Sequence, residues 1–320
     1  MTPIMLTDDQ VAATLDLDTA IASQREAFTA LGNGTARLAE KVALPNPADG
    51  SVALCYVSRL SEEHGAVCKL VDVHPGNAAL NLPTINATVL VLDGPTGRLA
   101  ALLEATRLTE IRTAAGSAVA ADALAPPDAD ELAVLGSGVQ GRAHVRALHR
   151  VRPLRRVRVW SPNPGRRDDA AAELAAELGI EVRAVASPAE AVQGAPLVAA
   201  CTLSDTPVVR AADLAPGATV LSVGSFEADR SEVDAELVRT ARVVVDHVDT
   251  SLTHAGPVVR AIAAGELEAG ELVSLGEVLV GSRPGRTGPD QVVFYNSVGL
   301  GVQDAAAAHA VLAAHRREHR

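Results

Sequence analysis

Lysine is nearly absent from this sequence: of 28 basic residues only Lys41 and Lys69 are lysines, and all others are arginines. Such a bias replaces lysine wherever either cation serves. A lysine that survives it points to chemistry in which an ammonium must lose its proton near neutral pH. Long apolar runs are missing too. No stretch approaches ~18 apolar residues without a charge, which excludes a membrane-spanning helix. The opening MTPIMLTDDQ lacks the basic-then-apolar pattern of a secretory signal, so none is expected. Cys55, Cys68 and Cys201 are odd in number and lack metal-ligand spacing. Reduced thiols in a cytoplasmic protein are expected, with no metal centre. Positive charge is also short. A net charge of −11 argues against a nucleic-acid partner, because phosphate binding needs clustered cations. The basic tail from Arg316 to Arg320 is brief and reads as a solvated helix end.

Apolar residues make up 48% of the 320 residues, in globular proportion. The length passes the ~250–300 residues at which one core usually stops growing, so two domains are expected. Residues 7–32 read as helical, with Asp16 and Asp18 as candidate N-caps and Ile21, Phe28 and Leu31 at helical spacing. From 51 to 104 the period shortens. Runs at 52–57, 67–73, 88–92 and 99–103, the last two split by Asp93-Gly94-Pro95-Thr96-Gly97, predict an antiparallel sheet with a helix packed on it. A helix over about 105–125 stops at Pro126-Pro127. Strands at 131–135, 157–160, 197–201, 219–223 and 243–248 then alternate with alanine-rich helices such as 168–178. That alternation implies a parallel sheet. A strand at 292–295 and a helix at 302–317 close the chain.

The strand at 131–135 runs directly into Gly136-Ser137-Gly138-Val139-Gln140-Gly141 and a helix. A lone GxGxxG is a weak signal; here strand, glycines and helix stand in the order that dinucleotide binding requires. Gly136 permits the tight turn, Gly138 lets backbone approach a pyrophosphate, and Gly141 lets helix pack on strand. The helix N-terminus then offers N–H groups and a positive dipole end to the phosphates. An NAD-specific site usually has an acid at the end of the next strand. This chain has Val159-Trp160-Ser161-Pro162-Asn163, then Arg166 and Arg167, with no acid before Asp168. Ser161 and Asn163 can hydrogen-bond a 2′-phosphate and Arg166 or Arg167 can neutralise it. NADP is therefore expected, with NAD possible; the plain alternative makes both arginines solvated residues of a helix start.

Several segments together resemble the ornithine cyclodeaminase/mu-crystallin family. They are Cys68-Lys69-Leu70-Val71 with His74-Pro75-Gly76-Asn77, Leu82-Pro83-Thr84, the stretch from Leu108 to Ser117 around Glu110-Ile111-Arg112-Thr113, and GSGVQG. Phe294-Tyr295-Asn296-Ser297-Val298-Gly299 with Asp304 is similar to the family's final signature. The resemblance implies an α/β fold, with a Rossmann NAD(P)-binding domain (114–302) and an α+β substrate-binding and dimerisation domain (1–113, completed by the C-terminal helix 303–320). It implies a homodimer whose first domains pair their sheets. Lys69 and Arg112 match residues that hold the substrate carboxylate, and Lys41 matches a basic position that helps them. Thr84, Arg112, Thr113, Val139, Gln140, Thr202, Ser297 and Val298 match positions that touch cofactor or substrate.

One departure bears on activity. Cyclodeaminases of this family carry a catalytic Asp in the loop after the fourth Rossmann strand. Here that loop reads Val223-Gly224-Ser225-Phe226-Glu227-Ala228-Asp229-Arg230, with Phe226 at the Asp position. The loop looks more like those of the family's alanine dehydrogenases and ketimine reductases. The resemblance therefore implies an NAD(P)H-dependent reductase of a small imino acid, or reductive amination of a 2-oxo acid. A cyclodeaminase acting on ornithine or lysine, and a mu-crystallin-like binding protein, stay open. For an imino acid, the planar fork of Arg112 suits the carboxylate. Lys69 can add a second charge or protonate the nitrogen. Without the resemblance, Arg112 could equally serve a salt bridge to Glu110 or Glu104, and Lys69 an exposed strand. The histidines read as structural, and Asp304 reads as a first-turn acid favoured by the helix dipole.

Overall fold

A computed structural model describes residues 2–80 and 82–319. Arg320, the end of the basic tail, lies outside the described residues. The chain forms two compact units, Met1–Thr113 with Leu300–Arg320, and Ala114–Gly299.

In the first unit the strands are β1 (Ile4–Leu6), β2 (Arg37–Leu38), β3 (Val42–Pro45), β4 (Val52–Arg59), β5 (Val67–Val73), β6 (Ile85–Leu92) and β7 (Leu99–Glu104). Their order is β1-β7-β6-β5-β4-β2, with β3 also paired to β4. The expected antiparallel sheet is thus mixed: β4 to β7 are antiparallel, but β1 runs parallel to β7. Three residues are too few to display a strand period, which is why β1 escapes sequence reading. The expected helix at 7–32 is two helices, α1 (Asp8–Thr14) and α2 (Leu17–Gly32). Thr7 caps the first, and Asp16 restarts the second by accepting from the Thr19 amide at 2.7 Å. The N-cap is Asp16, and Asp18 sits in the first turn.

The C-terminal helix, Gly301–Glu318, packs on α2 and on β4 and β5. Ala305 to Ala308 are all buried, so small side chains let this helix sit inside the unit. A Cβ on Gly301 would lie 3.2 Å from the Ser58 side chain. The inner face of the sheet carries Leu54, Val67, Val71, Val89, Val91 and Leu103, and among them the buried Lys69.

Helix α3 (Thr106–Leu124) carries the boundary between the units. In the second unit the strands are β8 (Glu131–Leu135), β9 (Arg156–Trp160), β10 (Glu181–Ala184), β11 (Leu197–Ala200), β12 (Thr219–Ser222), β13 (Arg242–Val245), β14 (Val273–Ser274) and β15 (Val293–Asn296). The order is β10-β9-β8-β11-β12-β15-β13-β14, and every pairing is parallel. Helices α4 (Val139–Val151) and α5 (Pro164–Leu178) connect β8 to β9 and β9 to β10. This is a doubly wound Rossmann sheet whose strand order reverses between β8 and β11, the place where such sheets take ligands. The expected strand at 243–248 ends at Val245, because Asp246 turns inward and Val248 already begins a helix. Among the described residues no helix is long and apolar enough to cross a membrane, and no cluster of His, Cys, Asp and Glu could hold a metal ion.

Candidate active site

In the first unit, β5 faces Lys69 inward, where it is 2% exposed. A buried ammonium needs a partner, since leaving it unpaired would cost several kcal/mol. That partner is Asp304 on the first turn of the C-terminal helix, whose Oδ2 lies 2.8 Å from Lys69 Nζ. The other carboxylate oxygen accepts from Arg112 Nε at 3.0 Å. Lys69 Nζ also sits 4.7 Å from the centre of the Tyr56 ring, on the neighbouring strand β4. Arg112 therefore pairs with Asp304, which is far more than a solvated first-turn acid. Burial, followed by the charge of Arg112, pushes Lys69 down to about 8, against the pull of Asp304; Lys41 adds a smaller push downward. The structure thus groups Lys69 and Arg112 in one buried cluster, with the charge of Lys41 felt there. Thr113 spends its hydroxyl on the Thr109 carbonyl, and Thr84 is exposed, its carbonyl accepting from the His74 amide.

In the second unit the phosphate loop has the features its glycines predict. Gly136 adopts a φ of +114°, and a Cβ there would press to 2.4 Å from the Cys201 carbonyl oxygen. A Cβ on Gly141 would lie 1.8 Å from the Gly136 carbonyl oxygen. These two glycines are demanded by the protein itself. Gly138 is different: a Cβ there would meet nothing within 4 Å, and no side chain caps the helix it starts. Open space in front of an uncapped helix N-terminus fits a pyrophosphate. Ser137 Oγ donates to Ser161 Oγ at 2.8 Å, joining the loop to the end of β9. Asn163 uses its side-chain oxygen to cap α5, and Arg166 is exposed. Arg167, by contrast, reaches back to the Ser161 carbonyl at 3.3 Å.

Two buried acids that sequence reading passed over hold the loops at the same edge of the sheet. Glu232 accepts from the Thr202 amide and hydroxyl through one oxygen, and from the Ser222 hydroxyl and Gly224 amide through the other, all within 2.8 Å. Asp246 Oδ2 accepts from the amides of Val298 and Gly299 at 2.8 and 2.9 Å, and from Ser297 Oγ at 3.3 Å. Burial raises the pKa of each, opposed by those donors. Thr202, Ser297 and Val298 are thereby fixed at the carboxyl ends of β11 and β15. Nothing local distinguishes such acids from solvated ones. In the loop after β12, Glu227 is ion-paired with Arg230 at 3.1 Å.

His144 locks the start of α4. Its Nδ1 is 2.7 Å from the Gln140 carbonyl, so that nitrogen carries the proton, and Nε2 accepts from Ser117 Oγ at 2.8 Å. Burial pushes His144 down to about 4. The unfolded chain, with an ordinary histidine, binds more protons between that value and about 6.5, so stability falls as pH drops through this window. The expected loss is on the order of 3 kcal/mol by pH 4. Thermal unfolding measured at pH 7 and pH 4.5 should show a shallower acid slope in His144→Gln than in the wild type; equal slopes would refute the assignment.

The sequence profile of the "Ornithine cyclodeaminase/mu-crystallin family" matches residues 1–318. A Delta(1)-pyrroline-2-carboxylate reductase of Paracoccus denitrificans is 35% identical over 73% of this chain and 75% of its own. A Delta(1)-pyrroline-2-carboxylate reductase of Thermococcus litoralis, solved with NADH and L-proline, superposes with a TM-score of 0.95 at 29% identity, covering 98% of each chain. An archaeal alanine dehydrogenase dimer with bound NAD gives a TM-score of 0.92 at 27% identity, over 100% of this chain and 98% of that one. With its full-length match, its Rossmann unit and its phosphate loop, the chain belongs to the ornithine cyclodeaminase/mu-crystallin family.

Proposed function

We propose that the chain is an NADPH-dependent reductase of a small imino acid, with a cyclic ketimine such as pyrroline-2-carboxylate as the substrate class. The observation that carries this is the buried Lys69–Asp304–Arg112 cluster in a chain with Phe226 at the cyclodeaminase acid's position. In the cluster two cations, Lys69 and Arg112, share the one carboxylate of Asp304, and an anionic substrate supplies the balance. Arg112 meets Asp304 through Nε, so its two Nη groups can receive the substrate carboxylate end-on. Bound NAD(P)H supplies a hydride to the C=N carbon. Lys69, held near a pKa of about 8, delivers the proton that the nitrogen takes up. The two pyrroline-2-carboxylate reductases support this reading. The archaeal alanine dehydrogenase makes reductive amination of a 2-oxo acid the neighbouring possibility to test. Cofactor oxidation should be measured against pyrroline-2-carboxylate, piperideine-2-carboxylate, and 2-oxo acids with ammonia. The ketimines should turn over fastest, and L-ornithine with NAD should release no ammonia above background. Rapid ammonia and proline formation would overturn the reading in favour of a cyclodeaminase. Tight binding without turnover would make the chain a binding protein.

The preference for NADPH rests on the end of β9. Ser161 replaces the acid of NAD sites, and Arg167 is tethered beside it. NADPH should bind more tightly than NADH by ~1–3 kcal/mol, the range of charge-assisted phosphate contacts. Ser161→Asp should reverse the order by repelling the 2′-phosphate and accepting from a 2′-OH. Direct titration of both cofactors decides it, and tighter NADH binding by the wild type would be the contrary result.

The outer face of the first unit's sheet supports a homodimer. Residues opposite one another across a pair of strands share a face. The pairings Val42–Cys55, Cys55–Leu70 and Val57–Cys68 therefore place Val42, Val57, Leu70 and two thiols together, opposite the Lys69 face. Val42 is 62% exposed, Leu70 54% and Val57 44%. A patch of this kind on a monomer marks an interaction surface.

A further inference from the structure

We propose that Asp304 is the positioning residue of this site: it keeps Lys69 in its ammonium form and aims it, so that neutralising Asp304 removes the proton donor without removing the lysine. The inference rests on the reading of Lys69 as that donor. Its basis is geometric. Asp304 is fully buried, and its two oxygens are divided between Lys69 at 2.8 Å and Arg112 at 3.0 Å. Its place on the first turn of the helix Gly301–Glu318 lets the helix N-terminus favour the negative charge.

Two neighbouring cations push the proton of Lys69 off. Arg112 does so from α3 and Lys41 from the segment before β3, and burial acts in the same direction. Tyr56 from β4 presents its ring face to the cation, and Val89, opposite on β6, carries no charge. Asp304 pulls the other way. It also restrains both cations from one point, which sets their spacing for a substrate that presents a carboxylate beside a C=N bond. Arrival of that carboxylate neutralises Arg112, frees more of the Asp304 field for Lys69, and so charges the donor when it is needed.

The scarcity of lysine makes the test direct. Protein labelled with carbon-13 at lysine Cε gives two signals, from Lys41 and Lys69, and Lys41→Arg assigns them while keeping the charge. In the wild type the Lys69 signal should titrate near 8. In Asp304→Asn it should titrate at least about one unit lower, and the alkaline limb of kcat/KM for the ketimine should move with it. At pH 8 the rate should fall ~10-fold or more, with partial recovery toward pH 6. A merely structural Asp304 would lower stability or activity at all pH values alike. An unchanged or raised Lys69 midpoint in Asp304→Asn overturns the proposal. Should that variant fail to fold, Arg112→Gln serves: with the competing cation gone, the Lys69 midpoint must rise, and one that stays put or falls overturns the proposal equally. The titration needs no substrate. A midpoint that moves in an enzyme inert toward every ketimine would therefore sink the functional reading and leave the role of Asp304 standing.

Discussion

Lys69→Arg should lower kcat by ~10²–10⁴, the usual contribution of a positioned acid, while KM for the imino acid changes far less. Arginine preserves the positive charge opposite Asp304, so carboxylate binding has a substitute. It cannot release a proton near neutral pH, because its pKa lies above ~12. The two roles open to Lys69 therefore separate in one variant. A pure charge role predicts near-normal kcat with raised KM, and a proton-delivery role predicts the reverse. Survival of this lysine in a chain that otherwise uses arginine favours delivery, as does its burial at 2% exposure. Steady-state kinetics at saturating NADPH are the measurement, with circular dichroism to confirm that the larger side chain is accommodated. A Lys69→Arg enzyme with near-wild-type kcat would leave Lys69 as a binding residue only.

Leu70→Asp combined with Val57→Asp should convert the expected dimer to a monomer. The neighbouring strand positions 69 and 70 illustrate how alternation works: Lys69 points into the core and Leu70 out of it, so Leu70→Asp leaves the Lys69–Asp304–Arg112 cluster in place. Two carboxylates buried against a second sheet would each go unpaired, a cost of several kcal/mol per site that a moderate interface cannot absorb. Light scattering behind size exclusion reads the mass directly. A wild-type chain that elutes as a monomer, or a double variant that remains a dimer, would show that this face is not the contact.

Much of the Rossmann unit was legible because its signals are local. Gly136 and Gly141 are forced by contacts within a few residues of the turn or on adjacent strand ends, and a glycine at such a place looks the same in the sequence as in the fold. Strands β8, β11 and β12 are buried along nearly their whole length and appear as short apolar runs, and β9 buries Val157 and Val159 in alternation, so their positions could be read to within a residue or so. The edge strands β10 and β14 went unread, since short edge strands carry weak patterns. The split at Leu15 was concealed for a similar reason: two amphipathic helices in succession keep nearly the same apolar spacing.

By itself, then, the sequence determined the strand–glycine–helix turn of a dinucleotide-binding fold, and marked two scarce lysines and one arginine as the residues to watch. Only the tertiary structure decided what those residues do to one another. Asp304 lies 192 residues from Arg112, and the pairing of the two with Lys69 leaves no periodicity or spacing behind. The same holds for Glu232 and Asp246, each of which reads as an ordinary acid until the loops it accepts from are brought around it. The physical reason is the range of the forces involved. Backbone preference and apolar period act over a few residues and are written in order along the chain. The protonation of a buried lysine is set by desolvation and by charges a few ångströms away in space, and those are assembled only when the chain folds.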